Sequence, residues 1–324
     1  MKAAVVTQQG ELPTYVENFE KPENDLSNGT LVKMQAVSIK NLDKMQASGK
    51  HYSAGHGEWK PKVVGSDGVG TLENGDLVYG FGLNGTMAEF AYLKKDALVP
   101  VPKGLDVIRA AAIPNAAMGA VMALKIRAQI KSGDKVLING ATGVTGKMAV
   151  QMAKYYGAKT IIATGRNLTS LKMVEDLGAD IIIPLTEDKN DLEERLAEVF
   201  TSHQIDIVID YLWGNSAESI LKFMTGKGTY TYPKVFVNVG AMSGDDITLP
   251  SALLRSTDLK IMGSGLGSWN AQEQQEFFTT LLPEVYALAV AGKIKIETLE
   301  MDLKDINTAW QLKPELGERI VIRL

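Results

Sequence analysis

Lys135-Val136-Leu137-Ile138-Asn139-Gly140-Ala141-Thr142-Gly143-Val144-Thr145-Gly146-Lys147-Met148-Ala149-Val150-Gln151-Met152-Ala153-Lys154 passes from an apolar run, through three glycines, into a helix-patterned stretch. A second apolar run, Thr160-Ile161-Ile162-Ala163-Thr164, follows and ends in Gly165-Arg166-Asn167. Strand, glycine turn, helix and strand in that order make one βαβ unit. The glycines are spaced three apart rather than in the commoner G-x-G-x-x-G, but the physics is the same. A glycine turn made of Gly140, Thr142, Gly143, Val144 and Thr145 lets a pyrophosphate lie against backbone N–H groups at a helix N-terminus, where the helix dipole favours negative charge. Gly146 lets the helix pack close to the strand. The plain alternative is a tight strand-to-helix turn found in any α/β protein. The flanking strand and helix, and the second strand ending about 20 residues past the last glycine where an adenosine ribose belongs, favour the dinucleotide.

An NAD site usually carries Asp or Glu at that strand end, to accept from the ribose 2′-OH. Here Gly165, Arg166 and Asn167 stand there with no acid. A guanidinium fork suits a 2′-phosphate, which a carboxylate would repel. The expected cofactor is NADPH. The alternative is that Arg166 is a solvated surface side chain.

The chain has 324 residues, 45% of them hydrophobic and 22% charged, enough for two globular domains. With 34 basic against 38 acidic residues it is mildly acidic, which argues against nucleic acid or an anionic membrane as partner. It has no cysteine, so disulfides, thiolate nucleophiles and Cys-bound zinc or iron–sulfur clusters are excluded. That absence fits the cytoplasm, the expected location. The first residues hold too short an apolar run for a signal peptide. Ala110–Leu124, the longest uncharged stretch, contains Pro114, Asn115 and Gly119 and reads as too broken to span a bilayer.

Up to about residue 120 the chain is punctuated by Asn-Gly turns between short apolar runs, which suggests a small irregular barrel. Residues 108–130 read as helical, broken by Pro114 and Gly119. From Lys135 strands and helices alternate. Further strands are expected at Ile181–Ile183, Ile205–Asp210, Val235–Val239 and Leu259–Met262, with helices near Thr169–Leu177, Asn190–Thr201 and Asn215–Met224. Six strands with crossovers make a doubly wound parallel sheet. Asp210, Gly240-Ala241 and Gly263-Ser264 follow its strands at the edge where such sheets bind ligands, and are expected to touch the cofactor. A long helix, about Ala271 to Ala291, precedes short C-terminal strands that rejoin the N-terminal part.

Gly65-Ser66-Asp67-Gly68-Val69-Gly70, Gly75-Asp76-Leu77-Val78, Met87-Ala88-Glu89-Phe90 and the glycine turn, in this order, resemble the medium-chain dehydrogenase/reductase superfamily in its zinc-free quinone oxidoreductase (zeta-crystallin-like) branch. The resemblance covers most of the chain. It implies a β-rich GroES-like catalytic domain from both chain ends (1–120 and 266–324), a central Rossmann domain (121–265) with an NADPH cleft between them, and a homodimer joined through the sixth strands. It implies that Asn115 approaches the nicotinamide. Zinc-dependent relatives carry Cys after the Ala36-Val37-Ser38 run and His after Gly65, where this chain has no Cys and has Ser66. His51 and His56 lack a third ligand nearby, so no metal is expected. Residues that grip the 2′-phosphate in relatives are replaced by Ser170 and Leu185, which leaves the role to Arg166.

Without a metal the acceptor must already be electrophilic: a quinone or a conjugated carbonyl. Tyr52 is a candidate to hydrogen-bond the acceptor or relay a proton. Lys40 is a candidate to stabilise an oxyanion, with Asn41 beside it. The expected function is an NADPH-dependent quinone reductase. The rivals are a 2-alkenal/enone reductase and a non-catalytic NADPH-binding protein, structural or RNA-binding.

Overall fold

The computed structural model describes residues 1–22, 28–49, 59–186, 188–226 and 231–324, without the side chain of Lys189. The chain forms two compact units. One comprises Met1–Asn115, Gln275–Pro314 and Glu318–Leu324; the other comprises Ala116–Gln274 and Glu315–Gly317. The divisions of these units fall after Asn115 and after Gln274. The helix Val107–Val121 runs unbroken through the first boundary, and its apolar composition gives no mark of the passage.

Six parallel strands build the sheet of the second unit, in the spatial order Ile181–Pro184, Thr160–Gly165, Lys135–Asn139, Ile207–Asp210, Lys234–Asn238, Leu259–Gly263. Chain direction across the sheet reverses beside Lys135–Asn139, the switch point where open α/β sheets bind ligands. The strands are in register. Ile181, Ile162, Leu137, Val208, Phe236 and Ile261 form one row across all six. That row lies in a single apolar cluster with Leu196, Ile220 and Leu253 from the covering helices. Near-continuous Val/Ile runs are what a strand covered on both faces requires. Two of the covering helices start at a side chain that caps them: Asn167 Oδ1 accepts from Ser170 N at 2.8 Å and Asp188 Oδ1 from Asn190 N at 2.9 Å.

The other unit is built around the long strand Gly29–Ser38. It pairs antiparallel with Asp67–Thr71, with Phe90–Lys94 and with the C-terminal strand Arg319–Arg323, which places Val37 opposite Ile322. Val37, Met34, Leu93, Ile322 and Trp310 share its core. The C-terminal strand thus closes the sheet that the N-terminal part begins.

One helix reading needs correction. Residues 107–121 are not broken at Pro114 or Gly119. Pro114 has no N–H for the Ala110 carbonyl, which an interior helical proline normally leaves orphaned. The buried Tyr286 hydroxyl donates to that carbonyl at 2.8 Å, so the helix continues. At Gly119 the missing side chain makes room for Thr145, whose Cγ2 would stand 2.6 Å from a Cβ. The helix then widens into a π-type turn, Met122–Arg127. The run Val107–Arg127 is long and apolar enough to cross a membrane by length and composition, and most of it is buried in the protein. The long helix expected at about 271–291 runs without a break from Ala271 to Val290, with an internal π-type turn at Phe277–Leu281.

Candidate functional site

The three glycines of the turn do three different jobs. Gly140 adopts φ +87°, a left-handed conformation that a side chain would strain. A Cβ at Gly143 would meet nothing within 4 Å, so the backbone is open to approach there. A Cβ at Gly146 would lie 2.5 Å from the Gly140 oxygen, so this glycine sets the close packing of helix on strand. Gly143 is also the residue before the helix Val144–Tyr155 and has no side chain with which to cap it. The leading N–H groups of the helix, from Val144 to Gly146, are left for an anion.

A buried polar network holds this turn at the strand ends. Thr164 Oγ1 accepts from Gly140 N at 3.0 Å and donates to Asn139 Oδ1 at 2.7 Å. Asn139 Nδ2 donates to Asp210 Oδ1 at 2.7 Å and to Ser216 Oγ at 2.9 Å. Asp210 also accepts from the backbone N–H groups of Leu212 and Trp213 and from Asn238 Nδ2, which donates in turn to the Gly240 carbonyl. Burial pushes the Asp210 carboxyl above its ordinary range, and these four donors oppose the shift. Asp210, expected to touch the cofactor, is fully buried and its contacts are internal. Its work is to register the ends of three strands. Gly240 sits against Asp210 and Tyr211, while Ala241 and Gly263 are exposed. Ser264 is buried, its hydroxyl taking the Trp269 indole N–H at 3.2 Å.

Gly165 and Asn167 end the second strand and cap the next helix. Arg166 between them is exposed and pairs with no carboxylate among the described residues. A guanidinium at this strand end, beside open backbone at the pyrophosphate turn, fits a dinucleotide carrying a 2′-phosphate.

In the other unit, Lys40 lies at a place no surface lysine occupies: it is 2% exposed. Its ammonium contacts the Ser38 carbonyl at 2.8 Å, Asp43 Oδ2 at 3.1 Å and Asp67 Oδ1. Burial drives the ammonium toward neutrality, but Asp43 and Asp67 outweigh it and raise its pKa. Tyr79 OH donates to the second Asp67 oxygen at 2.7 Å, and burial together with that carboxylate holds the phenol well above its usual pKa. Asp43 accepts from the backbone N–H groups of Lys40 and Ser66, both at 2.9 Å. Buried Arg319 completes the cluster. It donates to the Ile39 carbonyl at 3.3 Å and to Asn115 Oδ1 at 3.1 Å, so the Asn115 amide is fixed in orientation.

Lys40 was a candidate oxyanion donor. That ammonium is instead engaged within its own unit, donating to the Ser38 carbonyl and Asp67 and paired with Asp43. Asn41 begins the helix Asn41–Ser48 and is exposed. Tyr52, His51 and His56 lie outside the described residues. Asp43, Asp67, Tyr79, Arg319 and Lys147 did not stand out in the sequence. A usable signal existed for one of them: Asp67 sits inside a glycine-rich strand.

A sequence profile of the family described as zinc-binding dehydrogenase matches residues 144–285, less than half of the chain. The zinc of that description does not fit the described residues. There is no cysteine, and the region of Ser38 and Ser66 is filled by an ammonium already neutralising two carboxylates. Among the described residues no group of three or more His, Cys, Asp or Glu could hold a metal. The chain is 27% identical, over 95% of its length and 85% of the relative's, to a quinone oxidoreductase-like protein 2 homolog of Nematostella vectensis. It is 27% identical to a mitochondrial enoyl-[acyl-carrier-protein] reductase of Caenorhabditis elegans, over 91% of this chain and 87% of that one. Among solved structures it matches the quinone oxidoreductase of Thermus thermophilus, described with its NADPH complex, at TM-score 0.78 and 25% identity over all of both chains.

Proposed function

We infer that this chain, a member of the medium-chain dehydrogenase/reductase superfamily in its quinone oxidoreductase branch, is an NADPH-dependent oxidoreductase that reduces a quinone or a conjugated carbonyl. The observation that carries this is the pairing of an open glycine turn at Gly143 with an exposed Arg166 and no acid at the adjoining strand end. The Thermus structure with NADPH supports the same cofactor.

The nicotinamide supplies the hydride; the chain's residues bind, orient and exclude water. The backbone from Gly140 to Gly146 receives the pyrophosphate, and Arg166 receives the 2′-phosphate. The Asn139–Asp210–Asn238 network keeps the strand ends in register beneath the turn. The Lys40 ammonium is held by Asp43 and Asp67 and is not free to polarise a carbonyl, which favours an acceptor that delocalises the incoming charge itself. This favours quinones and conjugated enals or enones over simple ketones.

The quinone and enoyl-type relatives support two acceptor classes, and we take the quinone as the leading one. NADPH oxidation by the purified chain, after exhaustive chelation, against quinones, 2-enals and saturated ketones tests it. Turnover of quinones with none of saturated ketones is expected. Turnover confined to 2-enals or enoyl thioesters would move the assignment to the second class, and activity lost with removal of a stoichiometric metal would overturn the metal-free account. The reading also expects a homodimer through Leu259–Gly263, the outer strand of the parallel sheet. A stable monomer at micromolar concentration in sedimentation would contradict that.

A further inference from the structure

Three residues from near the C-terminus, Glu315–Gly317, belong to the nucleotide-side unit, although the residues before and after them belong to the other. They are held there by donors from the first turns of two different helices. Lys147, 3% exposed on Val144–Tyr155, donates from Nζ to the Leu316 carbonyl at 2.6 Å. Ser170, 1% exposed on Leu168–Leu177, donates from Oγ to the same oxygen at 3.1 Å. Gly317 takes φ +73°, and a Cβ on it would collide with the Thr142 carbonyl and stand 3.4 Å from Gly143 Cα. The segment therefore lies directly against the open part of the glycine turn.

Burying an ammonium is costly unless it gains strong partners. A lysine spent in this way on a backbone carbonyl fixes that carbonyl, and with it the strap, firmly. We propose that Lys147, with Ser170, is a positioning residue for the dinucleotide: it pins the Glu315–Gly317 strap as a wall of the pyrophosphate site and so sets affinity for NADPH and NADH alike. This rests on the dinucleotide assignment above. It assigns Lys147 a role different from that of Arg166, which meets only the 2′-phosphate. A wall beside the pyrophosphate is felt by both cofactors, because they share that group.

The test is fluorescence titration of NADPH and NADH against wild type, Lys147→Met, Lys147→Arg and Ser170→Ala, with amide hydrogen exchange of the peptide covering residues 312–318. Lys147→Met removes the ammonium but keeps most of the stem. It is expected to weaken both cofactors by about tenfold with their ratio unchanged, and to raise exchange in the strap. Lys147→Arg should recover part of the affinity, and Ser170→Ala should show a smaller loss of the same kind, about threefold. If Lys147→Met fails to fold, Ser170→Ala carries the comparison. A loss confined to NADPH would overturn the proposal by making Lys147 a direct phosphate ligand. Unchanged affinities, or strap exchange equal to wild type, would overturn it as well. A wild type that binds neither dinucleotide would instead remove the functional assignment itself.

Discussion

In the nucleotide-side unit, one carboxyl, that of Asp210, accepts from neutral donors: the Asn139 and Asn238 amides and the backbone N–H groups of Leu212 and Trp213. In the other unit, Lys40, Asp43, Asp67 and Arg319 bring two cations and two carboxylates into a space of similar burial. Both assemblies tie together the ends of chain segments far apart in sequence. They differ in how they fail. A network of amides and hydroxyls loses one bond at a time. A balanced ion cluster, once a member is removed, leaves an uncompensated charge away from water.

The largest effect is therefore expected at Lys40. Lys40→Met should destabilise its unit by about 3–5 kcal/mol, read as a fall in the denaturant midpoint. Adding Asp67→Leu should recover part of that loss, since the two changes act on one contact. A loss below about 1 kcal/mol for Lys40→Met would mean that water reaches the cluster. The pH dependence has a defined sign. The folded pKa of Lys40 is raised above 10.5, so its contribution is complete below 10.5 and disappears as pH climbs through the folded value.

Asp210→Asn should cost less, about 1–3 kcal/mol, because an amide keeps one acceptor for the four donors. Here the sign is opposite to that of a paired surface carboxylate. Burial raises the folded pKa above 3.8, so the folded chain keeps a proton that the unfolded chain has released. Stability falls as pH rises from 3.8 through the folded pKa and is level above it. The difference between wild type and Asp210→Asn in thermal midpoint against pH isolates this slope. Identical slopes would show that Asp210 titrates normally.

The smallest effect sharpens the comparison with a single neutral bond. Tyr286→Phe removes the donor to the buried Ala110 carbonyl and should cost about 1 kcal/mol. Pro114→Ala restores a backbone N–H for the same oxygen and should offset much of that loss in the double variant. Additive losses in calorimetry would refute the link between Pro114 and Tyr286.

The difference between the units also explains what was legible in the sequence. The parallel sheet could be read because its strands are continuous apolar runs and its turn is written in adjacent residues. The close packing at Gly146 was legible from spacing, whereas the left-handed conformation of Gly140 and the open side of Gly143 were not. The ion cluster could not be read: Lys40, Asp67 and Arg319 are brought together by strand pairing across most of the chain. A lysine next to an asparagine looks like a surface donor until Asp43 and Asp67 are found around it. Pro114 and Gly119 were misleading for a similar reason. Each breaks a helix in isolation, and each is compensated by a distant residue, Tyr286 in one case and Thr145 in the other. Glu315–Gly317 carries no local sign of belonging to the nucleotide-side unit.

The central claim is that Arg166 stands ready for a 2′-phosphate at the end of Thr160–Gly165. Its most direct test is the dissociation constant of NADPH and of NADH for wild type and Arg166→Ala. A charge-assisted contact of about 1.5–3 kcal/mol corresponds to roughly 10- to 150-fold in affinity. Wild type should prefer NADPH by at least about tenfold, and Arg166→Ala should lose most of that preference while NADH binding stays nearly unchanged. Equal affinities in wild type, or a variant that weakens both cofactors alike, would contradict the account.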